Sequence, residues 1–234
     1  MTKNGRTLRV AIVDNSIEPS VYRPVDHWSR YLDVPWDAYV AREGKFPGAR
    51  GYSHIILTGS EASILDRETW VDDEAEFVRR AVAGGAAVLG SCWGHQLIAF
   101  ALAGEAHVRR MPRPEIGWIP LRVDKANDLL GPPGTPFTFS IHYDEAADLP
   151  PDFEVLASTE ACPVQAFKLT GKPVWGLQCH PEVDIPTGLR FLKDLLDRGF
   201  KGPDFLFEAL RAAPRDSGLI LRIVRTFLGS GPSL

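Results

Sequence analysis

Ala86-Ala87-Val88-Leu89-Gly90-Ser91-Cys92-Trp93-Gly94-His95-Gln96-Leu97-Ile98-Ala99-Phe100-Ala101 is the stretch on which the fold of this chain turns. The apolar run 86–89 predicts a buried strand, and 95–102 predicts a helix with an apolar face. Between them a thiol stands at a strand-to-helix turn with glycine on both shoulders, Gly90 and Gly94. Glycine allows the tight backbone and the close strand–helix approach that a nucleophile elbow needs. The helix that follows points its free N–H groups and its dipole at the sulfur, which favours a thiolate and any oxyanion formed beside it. A single cysteine between glycines is most often packing, since free Cys is among the most buried residue types. What shifts that balance is Gln178-Cys179-His180-Pro181-Glu182, far down the chain.

Working outward, residues 8–14, 36–41 and 54–57 predict further strands, and 25–32 and 70–83 predict helices. Strand and helix thus alternate through the first half, which implies a parallel sheet with helices on both faces. Ligands of such sheets bind beyond the carboxyl ends of the strands. Thr58-Gly59-Ser60 and Cys92 both follow strands and should share one rim. The second half is richer in strands, at 117–123, 137–141, 154–158, 164–169 and 174–178. It reads as an antiparallel extension that returns to the main sheet at 174–177. Residues 185–199, 203–213 and 217–228 predict helices. A single domain over 1–234 is expected, with a core of about 8–196 and a C-terminal helical extension of about 203–228. The last helix carries Leu219, Leu221, Ile223, Val224 and Phe227. Packing on its own core is the favoured reading; docking onto another protein chain is the sharper one.

Composition narrows the function class. With 234 residues, 44% hydrophobic residues and a net charge of −4, the chain is an ordinary globular one without the basic footprint of a nucleic-acid binder. Its three cysteines, Cys92, Cys162 and Cys179, form no CxxC pair and no zinc pattern, so a reduced, cytoplasmic protein is expected. There is no signal-peptide pattern and no apolar stretch near the roughly 20 residues of a membrane span. Neither nucleic acid nor membrane is therefore expected as a partner.

Cys92, His180 and Glu182 are the residue types of a thiol nucleophile, its base and the orienter of that base. An imidazole can take the thiol proton, and a carboxylate on its far nitrogen fixes the tautomer and stabilises the imidazolium. In an extended stretch, His180 and Glu182 share one side, and Pro181 restricts the backbone between them. Alternation turns Cys179 to the opposite face, into the core. Cys162, in a loop before Pro163, is expected to be structural. His95, in the first helical turn, suits packing or orienting.

Gly90-Ser91-Cys92-Trp93-Gly94-His95-Gln96 together with His180-Pro181-Glu182 resembles the class I (triad) glutamine amidotransferases. The resemblance covers about residues 8–196. It takes in the Leu57-Thr58-Gly59-Ser60 rim, Pro114-Glu115-Ile116-Gly117-Trp118 and His142-Tyr143-Asp144, and it is nearest to free-standing members related to the amidotransferase domain of GMP synthase. It implies an α/β fold, a flavodoxin-like three-layer sandwich with a mainly parallel central sheet and an antiparallel extension. It also implies hydrolysis of the γ-amide of glutamine through a thioester on Cys92, with His180 as base and then acid and Glu182 as its orienter. The N–H of Trp93, with one from Gly59 or Ser60, would form the oxyanion hole. Gln96 and the backbone near Tyr143 and Asp144 would hold the α-amino and α-carboxylate groups. No cofactor and no metal are expected. Since no synthetase domain follows in this chain, ammonia would go to a separate synthetase partner, a subunit of its own. The alternatives are a γ-glutamyl hydrolase or peptidase acting on a conjugate, and a catalytically silent α/β binding or scaffold protein. Two departures from the resembling branch stand out. Glu61 replaces a rim proline, which should loosen the oxyanion loop, and a bulky Tyr143 should narrow the pocket.

Overall fold

A computed structural model describes residues 8–48, 51–198 and 204–230. The first half alternates as β1 (Val10–Asp14), α1 (Pro24–Ser29), β2 (Trp36–Val40), β3 (His54–Leu57), α2 (Val71–Ala83), β4 (Ala87–Ser91) and α3 (Trp93–Leu102). Then come β5 (Val108–Pro120), β6 (Phe137–Ala146), β7 (Phe153–Ala157), β8 (Ala166–Leu169) and β9 (Val174–Leu177), followed by α4 (Ile185–Asp197), α5 (Asp204–Arg211) and α6 (Leu219–Gly229).

Seven strands form the main sheet in the order β2-β1-β3-β4-β9-β8-β7. Pairing is parallel from β2 through β9 and antiparallel across β9, β8 and β7. The central strands β3, β4 and β9 are buried at every position, as unbroken apolar runs require when both sheet faces are covered. Strand β2, at the edge, is half open. Along β1 the pleat divides the core. Ala11 and Val13 face a layer with Val71, Val78 and Val82 of α2 and Leu97 and Ile98 of α3. Val10 and Ile12 face the other layer, with Trp28 of α1 and Ile223, Val224 and Phe227 of α6. Helices therefore cover both faces, and the three-layer α/β architecture is the expected one.

The second half differs from the expectation in two respects. Strands β5 and β6 do not extend the main sheet but pair with each other in a separate antiparallel ribbon. Strand β5 also begins at Val108, nine residues before the predicted 117, because its register shifts between Arg110 and Glu115 and so accommodates Pro112 and Pro114. The terminal helix places Leu219, Ile223, Val224 and Phe227 in its own core, leaving Leu221 exposed. Four of the five apolar residues named on this helix thus pack within the chain, as the favoured reading has it. The predicted ends at 199 and 203 fall outside the described residues. Among the described residues, no helix is long and apolar enough to cross a membrane.

Candidate active site

Strands β3 and β4 end side by side, with Leu57 paired to Gly90, so the Thr58 rim and Cys92 meet as expected. Backbone contacts fix the elbow. The N–H of Cys92 donates to Leu177 O at 2.8 Å, and that of Gly94 donates to Thr58 O at 3.1 Å. A Cβ on Gly94 would stand 2.2 Å from Leu57 O, and one on Gly90 would stand 2.3 Å from Gly94 O. Only glycine leaves room for strand and helix to approach this closely. Cys92 itself has φ 49° and ψ −105°, a strained conformation for a residue with a side chain. The bend turns its thiol out of the strand at the head of α3.

The predicted partners converge on that thiol. His180 and Cys92 line the same cavity, and the Cys92 thiol donates to Ile141 O at 3.8 Å. On the other side of the ring, His180 Nδ1 lies 2.9 Å from Glu182 Oε1, and all three residues are buried. A carboxylate only accepts, so Nδ1 carries the proton and Nε2 is left for the sulfur. His180 and Glu182 lie in a turn and not in an extended stretch: Val183 N–H closes onto His180 O at 3.1 Å. The His180 N–H donates to Phe139 O at 2.8 Å, fastening this turn to β6. Burial works to strip the proton from His180, but the Glu182 carboxylate and then the Cys92 sulfur outweigh it, raising the imidazole to about 10.

The cavity in front of Cys92 is lined by Ser60, Trp93, Gln96, Tyr143, Asp144 and His180, among others. Gly59 stands behind His180, where an added Cβ would meet the ring at 2.6 Å. Among the described residues, the N–H groups of Ser60 and Trp93 bond to no backbone carbonyl. Gln96 donates its amide to Asp144 O at 2.9 Å, so this side chain braces the cavity wall. The Asp144 carboxylate accepts from Ser63 Oγ at 2.6 Å and pairs with Arg110 at 3.2 Å. Tyr143 is partly buried, and burial pushes its phenol up to about 12. Glu61 does not loosen its loop. Its carboxylate accepts from Ser16 Oγ at 3.2 Å and from the Ile17 N–H at 3.0 Å, which ties the rim to the segment after β1.

The remaining cysteines and histidine take packing positions. Cys179 lies in the core beneath β1 and α6, and burial pushes its thiol up to about 12. Burial likewise pushes up the Cys162 thiol. His95 is fully buried against Phe167 and drops to about 3 by desolvation. Glu115, His142 and Cys162 bring ligand atoms within 4.8 Å of one another, a spacing that could hold a metal ion. The Glu115 oxygens already accept from Thr159, Gln165 and His142, while the Cys162 thiol donates to Val164 O at 3.6 Å.

Two residues of this region escaped the sequence reading. Tyr22 donates its phenol to Glu182 Oε1 at 2.8 Å. Glu74, buried under the elbow, accepts from Trp93 Nε1 at 3.3 Å. Neither has a local signal, since Tyr22 lies in an irregular loop and Glu74 sits among helix acids that read as solvated.

The model of the class-I glutamine amidotransferase family matches residues 11–197. The chain belongs to the class I glutamine amidotransferase family. Among curated relatives, it is 38% identical over 151 residues to the glutamine-hydrolyzing GMP synthase of Parafrankia sp., covering 64% of this chain and 26% of that protein. It is 43% identical over 97 residues to a glutamine-hydrolyzing GMP synthase subunit of Methanocaldococcus jannaschii, covering 41% of this chain and 50% of the relative. The chain thus matches a quarter to a half of the length of these relatives. Among solved structures, a glutamine amidotransferase from Thermotoga maritima superposes with a TM-score of 0.72 at 21% identity, covering 95% of this amidotransferase and 97% of the other chain. At that identity the likeness speaks for the fold.

Proposed function

We propose that this amidotransferase hydrolyses the γ-amide of glutamine through a γ-glutamyl thioester on Cys92. The observation that carries the reading is the convergence of a strained elbow cysteine with a histidine whose far nitrogen is held by a buried carboxylate. His180 draws the thiol proton, and Glu182 stabilises the imidazolium that results. The sulfur attacks the γ-carbonyl carbon, and the developing oxyanion is received by the N–H groups of Trp93 and of Ser60 or Gly59, fixed donors of the kind worth about 2.7–4 kcal/mol each. His180 then returns its proton to the leaving nitrogen. The C–N bond breaks, ammonia departs, and Cys92 remains acylated. Water, deprotonated by His180, attacks the thioester and releases glutamate, and the proton returns to the sulfur. Gln96, Tyr143 and Asp144 line the place for the amino-acid end. The archaeal relatives are named as one subunit of GMP synthase, which supports a separate synthetase partner that receives the ammonia.

A second reading has one observation in its favour. The cavity continues past Cys92 to Phe191 and Leu195 of α4, apolar surface beside Asp194 and Arg198 for which the small leaving group of glutamine has no use. A γ-glutamyl conjugate with an apolar amine would fill it.

The test is to offer purified protein glutamine and a panel of γ-glutamyl amides, with ammonia, amine and glutamate as readouts. Glutamine should give ammonia and glutamate in equal amounts, and a glutamine-derived electrophile should label Cys92 ahead of Cys162 and Cys179. Exclusive turnover of conjugates would establish the second reading, and silence toward every compound would remove both.

A further inference from the structure

The Glu182 carboxylate has two donors on one oxygen. His180 Nδ1 reaches Oε1 at 2.9 Å, and the phenol of Tyr22 reaches the same atom at 2.8 Å. Tyr22 comes from the loop between β1 and α1, 160 residues away in sequence. Its ring also meets the His180 ring edge-on, with centroids 5.8 Å apart at 89°. The ring rests in turn on Phe191 of α4 and stacks on His27 of α1. The phenol, the imidazole and the carboxylate are all buried, which shields these bonds from bulk solvent.

The loop that carries Tyr22 is itself tethered. The Ser16 hydroxyl lies between Tyr22 O, at 2.9 Å, and Glu61 Oε1, at 3.2 Å. The Ile17 N–H takes the second Glu61 oxygen. One segment, 16–22, therefore links the rim loop at Gly59-Ser60-Glu61 to the His180–Glu182 pair. We propose that Tyr22 is a positioning residue of this amidotransferase: its O–H fixes Glu182 Oε1 at the spot from which it orients His180 toward Cys92.

The physical case rests on what Glu182 lacks. Among the described residues its other oxygen, Oε2, is buried without a partner, so the hydrogen bonds that orient the carboxylate converge on Oε1. A carboxylate held by one donor can rotate about its bond to the side chain and carry the imidazole with it. With two donors on Oε1, rotation breaks both bonds together. Burial and the neighbouring Glu182 charge both push the Tyr22 phenol well up, so it remains a donor throughout the working range of the enzyme. A hydrogen bond to a charged group counts for more than one between neutral groups.

This inference rests on the thiol chemistry proposed above, so its test includes a readout that needs no substrate. The first readout is the rate at which iodoacetamide alkylates Cys92 at neutral pH, which reports how well His180 holds the thiol proton. The second is kcat and KM with whichever γ-glutamyl compound the parent protein turns over. Tyr22→Phe keeps the ring and removes only the hydroxyl. It should slow alkylation and lower kcat by about tenfold each, with KM little changed, as loss of a hydrogen bond to a buried charge implies. In a Glu182→Gln background the same substitution should cost nothing further, because the phenol acts through the carboxylate. A merely structural Tyr22 would cost as much in either background, and that result overturns the proposal. Parent-like alkylation by Tyr22→Phe overturns it as well. Should the parent turn over none of the compounds, the alkylation cycle alone still decides the role of Tyr22.

Discussion

The two sides of the cleft at Cys92 are built by different means. On the Cys92 side the backbone does the positioning. Gly90 and Gly94 let α3 touch β3 and β4, and the thiol is aimed by a strained φ of 49°. On the His180 side one backbone bond, His180 N–H to Phe139 O, fastens the turn, and side chains aim the ring: Glu182 and Tyr22 hold the imidazole through Oε1, and Phe191 and His27 hold Tyr22. A wall made by backbone sterics fails as a unit, by losing the fold. A wall made by side-chain hydrogen bonds fails by degrees, losing rate before it loses structure.

The sharpest way to break this contrast is at Gly94. An alanine there would place its Cβ 2.2 Å from Leu57 O, and backbone cannot yield as a flexible side chain can. Gly94→Ala should lose about 3 kcal/mol or more in urea unfolding, at the upper end of overpacking costs. Gly134→Ala, with nothing among the described residues within 4 Å of the added carbon, serves as the control and should stay within about 0.5 kcal/mol of the parent. Equal losses at the two glycines would show that helix–strand contact does not govern the elbow.

A second comparison isolates the strain at Cys92. Cys92→Ala and Cys92→Gly both remove the sulfur and should both abolish turnover. They differ in one Cβ, at a φ that disfavours it. The glycine variant should therefore be the more stable of the two, by about 1–3 kcal/mol. That order would mark the strain as a cost the fold bears for presenting the thiol. The reverse order would mean that the surrounding hydrogen bonds make the conformation unstrained.

The same contrast explains how much was legible beforehand. Apolar runs such as Ile55-Ile56-Leu57 and Val88-Leu89 write a buried parallel sheet directly into the sequence, and the glycines beside Cys92 mark the elbow. His180-Pro181-Glu182 was legible as a set because its members lie two residues apart. The geometry assigned to it was not, since Pro181 bends the chain into a turn where alternation suggested a strand. The beginning of β5 was hidden by Arg109, Arg110, Pro112 and Pro114, which resemble a loop until a partner strand with a register shift takes them up. Tyr22 was out of reach because its meaning lies in a contact across 160 residues, and nothing in Glu18-Pro19-Ser20-Val21-Tyr22 announces it. Glu61 illustrates the opposite error. A missing proline suggested a loose loop, but a carboxylate with two donors from the neighbouring loop supplies the tether instead.

One side chain crosses the divide, and it yields the smallest predicted effect. Glu74 is a buried carboxylate beneath the backbone-built wall, fully enclosed, with the Trp93 indole donating to one of its oxygens. Burial raises it from 4.5 to about 8, with the Trp93 bond opposing. The sign of the consequence follows from proton counting. Between about pH 4.5 and 8 the folded chain keeps this proton while the unfolded chain has lost it, so the folded state binds more protons and stability falls as pH rises through that window. His180, raised from 6.5 to about 10, adds a slope of the same sign above pH 6.5, so the measurement must be a difference between proteins. Glu74→Gln keeps an acceptor for the indole and cannot ionise. It should match the parent in urea unfolding near pH 5 and exceed it at pH 8.5 by roughly 1–2 kcal/mol, less than the whole shift converts to because buried charges recruit water and relax. A difference that stays flat from pH 5 to 8.5 would mean that Glu74 ionises in the fold much as it does in the unfolded chain. The elbow would then stand over a carboxylate that is charged at neutral pH, its burial offset by donors such as the Trp93 indole.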